Sequence, residues 1–419
     1  MEVLIAGGGI AGLTLALTCH QVGVPVRVLE SARSVRPLGL GINLQPNAVR
    51  ELFELGLEQE LAPIGVPTRE WALVGRNGHD VWTEPRGLDA GYRWPQYSVH
   101  RGELEMMLYR AVLDRLGPDA VLTGHQVTGY VHANDGVKVE VSSTDGAART
   151  IDARVLIGAD GLHSAVRAQM FPGDGGPRWG GTVLWRGIAQ APPIRSGSAF
   201  VVVGNSHQRF VSFPLSPPDP ATGLQTQNWI AEQSFDPQRG WRRGDWNTRV
   251  SIDEFIGSFE DWSFGWLDVP ALVRNSAMVF EYPMVDRDPV DHWVHGSVAL
   301  IGDAAHPMYP VGSNGASQAI VDTRVLGAAF VEHGVSRAAL HAYESRLLDD
   351  MSALVLRNRG AGPFSVLGLV DERCGGLFDD IDDVVPRAEI GQVMSDYRAA
   401  AGLAIEELNS APPTIAPTR

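Results

Sequence analysis

Gly7, Gly9 and Gly12 stand in the spacing Gly-x-Gly-x-x-Gly, between the apolar run Val3–Ala6 and a helical pattern over Ile10–Gln21. Glu30 closes the next apolar run, residues 24–30. Glycines in such a turn let backbone N–H groups approach a pyrophosphate, and the positive end of the following helix favours the anion. A carboxylate about twenty residues further on can accept both ribose hydroxyls. Gly7, Gly9, Ile10, Ala11, Gly12 and Glu30 are therefore candidate dinucleotide contacts. The fingerprint serves NAD and FAD alike, so it does not choose between them. Taken alone, it is also a plain tight turn before a helix.

Two further acidic segments follow short apolar runs. Gly158-Ala159-Asp160-Gly161-x-x-Ser164-x-x-Arg167 follows residues 154–157, and Gly302-Asp303-Ala304-Ala305-His306-Pro307 follows residues 298–301. In the blander reading, Asp160-Gly161 is a turn, Arg167 lies on a helix surface, and Asp303 is an N-cap. All three segments in this order resemble the fingerprints of the FAD-dependent aromatic hydroxylases. These are the single-component flavoprotein monooxygenases of the para-hydroxybenzoate hydroxylase type, and the resemblance covers roughly residues 1–360. Arg86-Gly87-Leu88-x-x-Gly91-Tyr92-x-Trp94-Pro95-Gln96-Tyr97-Ser98 and the stretch from His306 to Ile320 are similar to the phenazine-modifying branch.

The resemblance implies non-covalent FAD, with Arg101 on the phosphates, Val127 at the adenine, and Gly41 and Asp160 among the contacts. It places Asp303 at the ribityl hydroxyls. Pro310, Gly312, Asn314, Gly315 and Ala316 would set a loop and helix N-terminus against the flavin N1–C2=O edge, where the dipole stabilises the reduced anion. No second Gly-x-Gly-x-x-Gly is present. NAD(P)H is thus expected as a transient co-substrate, with O2 used through a flavin C4a-hydroperoxide to hydroxylate an aromatic or heteroaromatic ring, with or without decarboxylation. Phenolic substrates need a base. His306, Tyr309 and Arg186 are the catalytic candidates, with Tyr282 and His207 further off, and Arg186 could instead hold a substrate carboxylate. Trp185, Trp229, Trp262, Trp266, Phe213 and Met308 could line an aromatic pocket, although aromatics on strands are more often core. A halogenase would need a pocket lysine, and the single lysine, Lys138, falls in a hairpin of the first domain. An amine oxidase, which takes no NAD(P)H, and a non-catalytic flavin-binding protein are the alternatives.

These residues need an α/β frame: a Rossmann-like FAD-binding domain, an inserted and mostly antiparallel sheet domain for substrate, and C-terminal helices. The expected boundaries are 1–71, 99–181 and 288–360 for the first, 72–98 and 182–287 for the second, and 361–419 for the helical region. Residues 137–141 and 151–159 read as a hairpin at the edge of the first domain, 253–259 as a helix, and 410–413 as the start of a disordered tail. The 419 residues, 44% hydrophobic, suffice for two or three domains. A formal charge of −15 repels nucleic-acid phosphates and anionic lipid. Two cysteines, Cys19 and Cys374, make neither a disulfide framework nor a thiolate metal site. No signal peptide or membrane span is legible, so a cytoplasmic monomer or homodimer is expected. Arginine-rich usage hints at a high-GC bacterial source and secondary metabolism.

Overall fold

The structure is a computed structural model that describes residues 2–240 and 248–416. Its centre is a six-stranded sheet ordered Val294–His295, Val298–Leu300, Val155–Gly158, Val3–Ala6, Val26–Glu30 and Val121–Thr123. All neighbours are parallel except the first pair. Val-Leu-Ile-Ala and Val-Leu-Ile-Gly are buried along their whole length, as strands covered on both faces must be. The register sets Ala6 opposite Gly158, and Gly158 opposite Leu300. The loops carrying the three acidic or glycine segments therefore leave the sheet side by side at its carboxyl edge, where open α/β sheets take ligands.

The hairpin expected from residues 137–141 and 151–159 forms, but its second strand ends at Ala153. His125–Ala133, Gly136–Ser143 and Ala148–Ala153 form a separate three-stranded antiparallel sheet. The chain turns at Arg154, and Val155–Gly158 enters the central sheet instead. One apolar run serves two sheets because Val155, Leu156 and Ile157 need burial on both faces, whereas Arg149 and Thr150 face solvent.

An eight-stranded sheet covers the carboxyl edge. It is antiparallel except where Ala199–Gly204 pairs in parallel with Glu70–Gly75. Alternation along the strands separates two faces. Trp185, Phe210 and Trp229 pack outward with Phe255, Phe259 and Trp262. Leu184, Phe200, Val211 and Phe213 point inward, toward the cofactor-sized trough and the C-terminal helices. The expected helix over 253–259 is two 3-10 turns, Ile252–Glu254 and Ile256–Phe259. Phe255 leaves helical geometry at φ −135°, and its ring stacks on Trp185 at 4.6 Å. Burying that ring outweighs propagation of so short a helix.

Gly41–Leu44, Gln96–His100 and Gly65–Thr68 make a small sheet between the two larger ones. Ser365–Cys374 and Arg387–Ala400 close the inner face with Val366, Leu367, Ile390 and Met394. The tail is not loose as far as Ala416. Arg50 bonds the Pro412 carbonyl, Thr414 Oγ1 donates to Glu51 at 2.7 Å, and Ile415 is buried. Among the described residues, no helix is long and apolar enough to cross a membrane.

Candidate active site

Two cavities of about 320 Å³ and about 480 Å³ share Gly9, Arg101, Ala159 and Gly161, and so form one continuous trough along the carboxyl edge of the central sheet. The larger holds Glu30, Val127 and Asp160, and the other runs past Asp303 to the inner face of the eight-stranded sheet.

The glycine turn divides its work. A Cβ on Gly7, at φ +104°, would lie 2.4 Å from the Ala159 carbonyl, and one on Gly12 would lie 2.0 Å from the Gly7 carbonyl. Both glycines thus permit backbone packing. Gly9 has nothing within 4 Å of its Cβ position and leaves the trough open to a ligand's phosphates. Glu30 Oε2 accepts from Gly8 N at 2.8 Å, which ties the carboxylate to the turn. Arg101 opens the helix Arg101–Leu116 with a half-exposed side chain bordering both cavities. Against a helix N-terminus a cation is unfavourable, so an anion between them suits both.

Asp160 reaches the trough but spends Oδ2 on Ala165 N and Val166 N, at 2.8 and 3.3 Å, so it caps the next helix. Burial pushes its carboxyl up. Asp303 accepts no hydrogen bond from any described residue, and its carboxylate opens onto the trough. The enclosing protein pushes this carboxyl up as well, against the smaller pull of His306 and Arg101. Ile10, Ala11, Gly41, Pro310, Gly315 and Ala316 border the same cavity. A trough of this length, with carboxylates at two polyol positions and an open glycine turn between them, fits FAD.

Gly312 and Asn314 act from behind the cofactor loop. A Cβ on Gly312, at φ +74°, would meet the Tyr397 hydroxyl at 2.0 Å. Its need for glycine thus comes from Tyr397, not from an approaching flavin ring. Asn314 Nδ2 donates to the same hydroxyl at 2.7 Å. Tyr397 lies on a C-terminal helix that carries no motif, and nothing in the sequence marked it.

Of the three catalytic candidates, only Arg186 borders the trough. Its Nη2 donates to the Gly41 carbonyl at 2.8 Å, its guanidinium sits 5.9 Å from the Tyr282 ring centre, and its buried Nε has no partner. Tyr309 turns away to Gly180, and burial holds its phenol up at about 12, so it stays protonated near neutrality. His306 is buried beside Trp293, with Nε2 2.7 Å from Asp322 Oδ2, and Asp322 also takes the Gly302 N–H at 2.7 Å. The pair locks the turn that presents Asp303. His207 is exposed on a hairpin. Phe213 and Met308 line the trough, whereas Trp185, Trp229, Trp262 and Trp266 pack on the outer face of the sheet.

Burial opposes charge on His306, but Asp322 and Asp303 outweigh it and the pKa is raised from 6.5. The pair's stabilisation is complete below that unfolded value and is lost as pH rises through the higher folded value. Urea midpoints of the wild type, relative to His306→Gln, should therefore fall as the pH is raised from 6.5 into the alkaline range. A difference that stays level across that range would show that no proton is held there.

Sequence reading missed Arg167. Its side chain is fully buried, with Nε on Asp174 at 2.8 Å, Nη1 on the Ala304 and Ala305 carbonyls at 3.0 and 2.7 Å, and Nη2 on the Asp288 carbonyl at 3.1 Å. It is no surface residue: it fastens the Asp160 segment to the Asp303 segment. Its only sequence signal is the spacing from Asp160.

The FAD binding domain family model matches residues 1–357. Phenazine 1,6-dicarboxylic acid hydroxylase of Lysobacter antibioticus is 42% identical over 362 residues, which is 85% of this chain and 89% of that protein. Aurachin C monooxygenase/isomerase of Stigmatella aurantiaca is 31% identical, covering 82% and 84%. The crystal structure of Klebsiella pneumoniae HpxO complexed with FAD and uric acid superposes with a TM-score of 0.74 at 25% identity, covering 98% of this chain and 97% of that one.

Proposed function

Because the chain belongs to the FAD binding domain family and is an FAD-dependent aromatic hydroxylase, we propose that it hydroxylates a planar, anionic polycyclic ring held between the trough and the sheet domain. The observation that carries this reading is the inner end of the trough. There Phe200, Phe213, Ile230 and Met308 make an apolar slot, and Arg186 presents an unspent buried donor. Glu232 lines the same cavity but is paired with Arg209 at 2.7 Å, so the Arg186 guanidinium favours a carboxylate or another planar anion. A phenazine carboxylate, the substrate type in the name of the relative from Lysobacter antibioticus, has that shape and charge.

In this reading Gly9, the helix start at Ile10, and Arg101 hold the pyrophosphate, Glu30 and Val127 the adenosine end, and Asp303 the ribityl chain. Asp160 acts by shaping its helix. When bound, FAD supplies O2 activation after reduction by NAD(P)H. The residues around it orient the ring and keep water out of the slot. In this reading the boundary between cofactor and substrate domains is drawn with Gln96–His100 on the cofactor side, because that strand pairs with Gly41–Leu44. An NAD(P)H requirement suits a cytoplasmic setting.

The test is direct. Yellow protein is mixed with NADH or NADPH, ¹⁸O2 and phenazine carboxylates, and the products are weighed. One labelled oxygen in the ring, with turnover lost in Arg186→Met, is expected. Amine oxidation without NAD(P)H would overturn the reading.

A further inference from the structure

Behind the loop from Pro310 to Gly315 lies a second, smaller chamber, with free space of about 20 Å³. That is room for a single first-row atom. Phe200 and Ser313 line both this chamber and the trough, so it is a side pocket of the ring-binding slot. Its polar wall holds Gln45, Gln96, Ser313 and Tyr397 together with the charged side chains of Glu84, Arg86 and Arg398.

Three buried atoms of that wall have no partner: Gln45 Oε1, Gln96 Oε1 and Arg86 Nε. Leaving such groups unpaired in the interior is unfavourable, so each is free to bind a ligand atom. Gln45 Nε2 donates to the Gly312 carbonyl at 3.0 Å and Gln96 Nε2 to Asn43 Oδ1 at 3.2 Å, so each amide has its oxygen left over. Arg86 is held by Glu84 at 2.7 Å and lies over Trp71 at 5.0 Å from the ring centre. Glu84 is itself held by Trp82 at 2.9 Å and Arg398 at 2.8 Å.

Glu84, Arg398 and Tyr397 are spent on protein partners, so what the wall leaves open is one charged donor and two neutral acceptors beside a space for one atom. A carboxylate would set negative charge against both amide oxygens. An ammonium group could not accept from Arg86. An apolar substituent would leave all three unpaired. A hydroxyl oxygen meets the set, accepting from Arg86 Nε and donating to one amide oxygen. We infer that this chamber is a hydroxyl subsite of the catalytic cavity, which reads a ring hydroxyl on the aromatic substrate. The inference rests on the proposed ring-binding slot. It adds a neutral polar contact distinct from the anion contact at Arg186, and so fixes which edge of the ring enters first.

The experiment uses the FAD-loaded enzyme. It is titrated with 2-naphthoate and with a series of monohydroxy-2-naphthoates, and binding is followed by the flavin absorbance change. At least one hydroxylated member should bind about tenfold or more tightly than the parent. Gln96→Met and Arg86→Met should each erase that preference, while the parent keeps its affinity within about twofold. Gln96→Met, close in volume, guards against a folding defect caused by loss of the Arg86–Glu84 pair. Three results would overturn the assignment: no hydroxyl preference, as for a chamber that holds only water; a preference that survives both substitutions; or equal losses for hydroxylated and parent ligands. FAD content and NAD(P)H-driven oxygenation are measured on the same preparations. A yellow, active enzyme without the preference sinks the subsite alone, whereas colourless, inactive protein sinks the broader reading with it.

Discussion

Asp303→Ala should emerge from purification largely without FAD, with a dissociation constant raised about tenfold to a hundredfold. Its carboxylate receives no donor from the described chain and stands exposed on the trough, so its hydrogen-bonding capacity is open to a ligand. A bond to a charged acceptor contributes about 1.5–3 kcal/mol, which gives that range. Asp303→Asn keeps one acceptor oxygen and should fall between the two. Fluorescence titration of apoprotein with FAD measures all three. Retention of wild-type affinity by the alanine variant would place the ribityl chain elsewhere.

Arg167→Met should destabilise the protein by about 3–5 kcal/mol, the cost of breaking a buried ion pair on one side only. The loss strands Asp174, although Arg287 at 2.7 Å softens this, and leaves the Ala304, Ala305 and Asp288 carbonyls without their donor. FAD affinity should fall as well, because Ala304 and Ala305 follow Asp303 directly. Arg167→Lys keeps the charge but not the fork, and should recover only part of the loss. Urea unfolding together with FAD titration separates the two effects. A change under about 1 kcal/mol would show that the segments hold together without Arg167.

The two arginines at the heart of the molecule show how far pattern reading reaches. Arg101 was placed at the phosphates by the family resemblance, and its position at a helix start, where a cation is out of place unless it faces an anion, agrees with that. Arg167 looked like a solvent-facing helix residue, because the carbonyls that need it lie about 137 positions away in the chain. Tyr309 and His306 attracted attention by residue type and by closeness to the cofactor loop. Neighbouring positions in an irregular loop point in different directions, however, and of residues 306–310 Met308 and Pro310 are the two that line the trough.

Three motif segments carried the resemblance to flavin hydroxylases, and by itself the sequence determined the dinucleotide turn, the order of strand, helix and acid, and the division into an α/β part and a sheet part. These depend on local periodicity and on backbone geometry that particular short segments must adopt. Tertiary structure alone decided which face of the sheet meets the trough, that Tyr397 dictates glycine at 312, that the tail is strapped to Glu51, and that Gln45, Arg86 and Gln96 share a chamber. Each is a contact between residues far apart in the chain. Such contacts arise from how buried side chains fill the space between whole elements, and no local spacing encodes that.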